Sequence, residues 1–112
     1  MTPVWMVTPE KIAEAVRKIV HFEQPRKVIV FGSAVQGRVT AHSDVDILVV
    51  TREEVESPRQ ESIRIRRVLR GLSMPMDILV ISEKRLQTLA GRPGLIYREA
   101  LRHGKIVYEA AA

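Results

Sequence analysis

Three apolar runs, 26–31, 44–50 and 76–81, constrain the fold of this chain more than any other feature. Each is rich in valine, isoleucine and leucine and bounded by turn-forming residues, the pattern of a buried strand. Polar residues enter these runs only near their ends. Gly32-Ser33 closes the first, and after ten further residues Asp44-Val45-Asp46 opens the second. Asp77 stands second in the third. The apolar interiors demand a sheet, and the polar ends give that sheet one chemically distinct rim.

Each polar end has its own chemistry. A Gly-Ser at a strand end lets the chain turn sharply and leaves backbone N–H groups and a hydroxyl facing outward. A helix starting there adds its positive end, so Gly32 and Ser33 suit a triphosphate. Side chains at i and i+2 of a strand share a face, which brings Asp44 and Asp46 together. Two carboxylates beside a phosphate-binding corner describe a magnesium site for phosphoryl chemistry. Taken singly, Gly-Ser is most often a turn, and Asp-x-Asp a solvated strand end. Asp77 changes that balance, because an acid in a strand that otherwise reads as core costs free energy unless it is paired or bound to a cation. With Asp77 on a neighbouring strand, the three acids form one cluster.

Helical patterns fill the intervals and give an α/β order. Thr8-Pro9-Glu10 caps and opens a helix whose apolar stripe is Ile12, Ala13, Val16, Ile19 and Val20, ending before Gln24-Pro25. A short helix follows Gly32-Ser33 through about Val39, and 40–43 form a polar loop. Ser57-Pro58-Arg59-Gln60 resembles a capping box opening a second long helix, closed by Gly71. Ile65, Val68, Leu69 and Leu72 lie on one side of it, and Arg59, Arg66, Arg67 and Arg70 on the other. Such a basic face is ordinarily solvated; its functional reading is a docking stripe for an acidic partner or RNA. Ile63 within it reads as a lone exposed isoleucine. Ser82 caps a short helix through Ala90, 91–94 form a turn, and a last helix stops at Gly104. Lys105–Tyr108 then adds an edge strand. The histidines (His21, His42, His103) have no ligand spacing, and Tyr97 and Tyr108 read as packing residues.

Composition bounds the function classes. A chain of 112 residues is expected to form a single domain over 1–112 with one core. Without cysteine there is no disulfide framework, thiolate metal site or cysteine nucleophile. No apolar run reaches the ~18 residues of a membrane span, and no signal-peptide pattern opens the chain, so a soluble cytoplasmic protein is expected. The net charge of +5, with arginine outnumbering lysine, suits contact with phosphate, nucleic acid or an acidic protein face, but it is too modest and dispersed to mark a nucleic-acid groove. Aromatic residues make up only 4% of the chain, which argues against a base-stacking surface and against nucleic acid as a partner.

Gly-Ser, ten residues, Asp-x-Asp and a later acid on a neighbouring strand together resemble the minimal nucleotidyltransferases of the DNA polymerase β superfamily. Gly37 and Ser43 also fit; Ala34 and Gln36 depart from the basic residues common there, and Arg38 is the candidate replacement. The resemblance spans nearly the whole chain. It implies an α/β (α+β) fold, a small mixed sheet flanked by helices, with the outer phosphates of a nucleotide against Gly32, Ser33 and Arg38. It further implies that Asp44, Asp46 and Asp77 hold two magnesium ions and carry catalysis, with Asp77 favouring deprotonation of the acceptor hydroxyl. The reaction implied is transfer of a nucleoside monophosphate, AMP from ATP, with release of pyrophosphate. Small stand-alone relatives are often paired with an all-helical HEPN-type toxin, so the implied acceptor is a tyrosine of such a partner and the implied role is antitoxin. Self-association is left open. A non-catalytic module that masks its partner is the alternative from another class, and an RNA-binding domain using the arginine helix ranks after it.

Overall fold

The computed structural model describes residues 6–32, 44–89 and 102–111. Ser33, Ala34, Gln36, Gly37, Arg38, His42 and Ser43 lie outside the described residues, as do the expected short helix through Val39, the 91–94 turn, Tyr97 and most of the expected last helix.

The first helix, α1, spans Pro9–Glu23. Thr8 caps it as its sequence predicts, accepting from the Lys11 N–H at 3.2 Å. Gln24 closes it in the left-handed region at φ 49°, its N–H bonded to the Val20 carbonyl at 2.9 Å. The expected stripe is right except at one position. Ala13 is exposed and Ala15 takes the buried place beside Ile19.

Four strands form one mixed sheet: β1 Lys27–Phe31, β2 Val45–Thr51, β3 Met76–Ser82 and β4 Lys105–Glu109, in the order β3-β2-β1-β4. β1 runs antiparallel to both β2 and β4, whereas β2 and β3 are parallel. A parallel neighbour needs a crossover, and the second helix, α2 (Pro58–Val68), supplies it. The third helix, α3 (Glu83–Leu89), follows β3 directly; Ser82 Oγ accepts from the Arg85 N–H at 3.2 Å and donates to Glu54 Oε1 at 2.8 Å.

The period-two alternation of the strands divides the core into two layers. Val28, Val30, Val45, Ile47, Val49, Ile78 and Val80 pack with Ala15 and Ile19 of α1 and with Ile65 and Leu69. Ile29, Phe31, Leu48, Val50 and Ile81 face the other way, with Leu86 of α3. β2 is thus a central strand covered on both faces, which is why its sequence is apolar at every position after Asp46 until Thr51. β4 sits at the sheet's edge among the described strands, and its register slips between Val28 and Ile29 of β1.

The second helix begins as its capping pattern predicts: the Gln60 N–H donates to Ser57 Oγ at 3.2 Å. It ends at Val68, and the chain turns through Leu69 and Arg70 to Gly71, where φ is +97°. Arg59, Arg66, Arg67 and Arg70 are exposed, while Ile63 is half-buried rather than exposed.

Candidate active site

The rim where β2 and β3 begin collects the three acids. Parallel pairing in register places Asp46 directly beside Asp77. Asp44 lies one residue ahead of β2, which starts at Val45 rather than at the acid. It still converges: one carboxylate oxygen from each of Asp44, Asp46 and Asp77 lies within 4.8 Å of the others. Asp44 and Asp77 are exposed and Asp46 is half-buried between them.

Gly32 completes the rim from the antiparallel side. It follows Phe31, whose register partner is Asp46. Its φ is +99°, a conformation that glycine adopts without a steric penalty. A Cβ built there would lie 2.7 Å from Asp46 Oδ2, so the missing side chain is what lets the backbone approach the carboxylate. Ser33 and Arg38, the other residues expected at the phosphates, lie outside the described residues.

The electrostatics match a cluster of like charges. The Asp46 carboxyl is held above its ordinary value, first by partial desolvation and then by the charges of Asp44 and Asp77. Three hard oxygen donors in mutual repulsion are the donor set that a hard divalent cation such as magnesium prefers. A cation there would offset the mutual repulsion of the three carboxylates. Arg66 Nη2 reaches Asp77 Oδ1 at 3.2 Å, a contact that the sequence pattern did not reveal. An apolar groove of about 680 Å³ between α1 and β4, lined in part by Ile12, Val16, Val20, Val30, Val107 and Tyr108, holds none of the three acids. The three acids gather on the charged rim, outside that groove.

The family model described as "Nucleotidyltransferase domain" matches residues 9–107 of this chain. The chain belongs to that family. The nucleotidyltransferase domain therefore runs from the start of α1 into β4 and includes every acid of the rim. A crystal structure from Sulfolobus solfataricus, itself described as a nucleotidyltransferase, is similar to it with a TM-score of 0.62 and 19% sequence identity. The match covers 89% of this chain and 78% of that one, and at such identity it shows a shared fold. No curated protein matches the sequence. Nucleotidyl transfer is the chemistry the family carries, and the expected mixed α/β fold is the one observed.

Proposed function

We propose that this nucleotidyltransferase domain transfers a nucleoside monophosphate, AMP from ATP, to an acceptor hydroxyl in a magnesium-dependent reaction. The observation that carries the reading is the convergence of Asp44, Asp46 and Asp77 within 4.8 Å on the strand rim that Gly32 abuts. Asp44, Asp46 and Asp77 would hold the metal, two ions once nucleotide is bound. Bound magnesium supplies neutralisation of phosphate charge and a lower pKa for a coordinated hydroxyl.

The chain's own residues do the rest. Gly32 brings backbone close to Asp46, and with Ser33 and Arg38 it is assigned to the outer phosphates. Asp46, shared by both strand pairs, fixes the centre of the cluster. Asp77 stands exposed at the rim, where an acceptor hydroxyl can approach, and favours loss of its proton. The acceptor oxygen then bonds to the α-phosphorus, the bond from that phosphorus to the bridging oxygen breaks, and pyrophosphate leaves.

The acceptor we propose is a tyrosine hydroxyl on an all-helical HEPN-type partner, which would make the protein an antitoxin. Support comes from the sequence resemblance. The test is a transfer assay with ATP labelled at the α-phosphate, magnesium and the candidate partner, run with wild type and Asp46→Asn. Label on the partner with wild type alone supports the reading. A tight complex without label would replace it with a masking module, and label on RNA would move the acceptor to nucleic acid.

A further inference from the structure

The second helix joins two parallel neighbours, so it must run back along the sheet before β3 begins. Its 11 residues rise about 16 Å, enough to carry its last turn to the rim where β2 and β3 start. Ile65 and Leu69, 0% and 1% exposed, fix its rotation against the sheet. Arg66 follows Ile65 by about 100° of helical rotation and so stands at the border between the buried and solvent faces. From there its guanidinium donates to Asp77 Oδ1 at 3.2 Å. Among the described residues no other arginine pairs with any of the three acids; Arg17, Arg26 and Arg64 pair with Glu14, Glu83 and Glu61.

We infer that Arg66 is a positioning residue for Asp77: its guanidinium holds the third carboxylate at the rim, and a divalent cation must compete with it for that oxygen. The inference rests on the metal-site reading above. Arg66 and Asp77 side chains are 51% and 64% exposed, so their attraction is weak enough for a doubly charged ion in a three-carboxylate cradle to overcome. Until then the pair restrains the exposed Asp77 carboxylate and reduces the negative charge that Asp46 faces. Arg66 therefore lowers the affinity of the empty site for cations while keeping its geometry.

The experiment is a titration with Mn²⁺ alone, read by electron paramagnetic resonance at low salt, on wild type, Arg66→Gln, Arg66→Lys and Asp46→Asn. Thermal melts confirm that each variant is folded. Removing the guanidinium charge should tighten Mn²⁺ binding by about threefold to tenfold. Arg66→Lys, which keeps the charge, should stay within about twofold of wild type. The gap between wild type and Arg66→Gln should narrow as salt rises, because the contact is exposed. Equal or weaker binding by Arg66→Gln overturns the inference, as does an Arg66→Lys variant that behaves like Arg66→Gln. If Asp46→Asn binds Mn²⁺ as well as wild type, the metal site itself is wrong and the inference falls with it. If Asp46→Asn loses binding while Arg66→Gln matches wild type, the metal site stands and only the role of Arg66 is lost.

Discussion

Replacing Gly32 with alanine separates stability from site geometry. Two effects oppose each other in the fold. At φ +99° a side chain costs about 1–2 kcal/mol in backbone strain. Losing glycine's freedom in the unfolded chain returns about 0.4–1 kcal/mol. The net destabilisation is about 1 kcal/mol, which for a domain of this size lowers Tm by about 4–8 °C. The site is affected through a different contact. The new Cβ would stand 2.7 Å from Asp46 Oδ2, where ordinary contact begins at 3.4 Å, so the carboxylate must withdraw by about 0.7 Å. Withdrawal moves it within a cluster that already repels it, and a misplacement near 1 Å can cost about 100-fold in rate. Calorimetry and a Mn²⁺ titration on the same protein should therefore show a small change in Tm beside a loss of cation affinity of about tenfold or more. Wild-type Mn²⁺ affinity in a folded Gly32→Ala protein would falsify the assignment of Gly32 to the site.

Other perturbations test other parts of the structure. Asp46 has a folded pKa above its unfolded value, so its ionisation withdraws stability as pH rises out of the carboxylate range. Asp46→Asn should consequently raise Tm at neutral pH without metal while ending metal binding and transfer; a lower Tm at pH 7 would count against the repulsion. Burial and the neighbouring Glu61 push Glu23 up to about 7 from 4.5. Its contribution is present below the unfolded value and lost as pH rises through the folded one, at most about 3 kcal/mol and nearer 1 after solvent screening. Glu23→Gln should flatten Tm between pH 4.5 and 7, and an unchanged slope would remove the pair from the account. Ser57→Ala should cost about 1 kcal/mol by chemical denaturation, through loss of the cap on α2. Activity per folded molecule should not change.

The strands were legible because β1, β2 and β3 are buried enough to be almost wholly apolar, and the helix starts because Thr8-Pro9 and Ser57-Pro58 carry their caps locally. The triad was legible too: three acids interrupt or border apolar runs where burial alone would not place them. What escaped the sequence depends on how separate elements meet. The Arg66–Asp77 contact follows from the path of the α2 crossover, and no spacing in the chain encodes that path directly. Ala13 and Ala15 are too similar for periodicity to tell which is buried. Asp44 was placed inside the second strand, but pairing starts only at Val45. The contact between Gly32 and Asp46 needs the antiparallel register of β1 against β2, which two apolar runs specify equally well in either direction.

Asp46 and Asp77 are register partners in the sheet, and this decides what can vary around them. Adjacent strands stand about 4.8 Å apart whatever side chains they carry. The backbone ladder thus acts as a fixed ruler for the acid pair. The outer edge of β4 lies beyond β1 from that pair, so changes there leave the ruler unaltered. The distance from Asp46 to Asp77 at the backbone is therefore set by the sheet and not by the side chains packed around it.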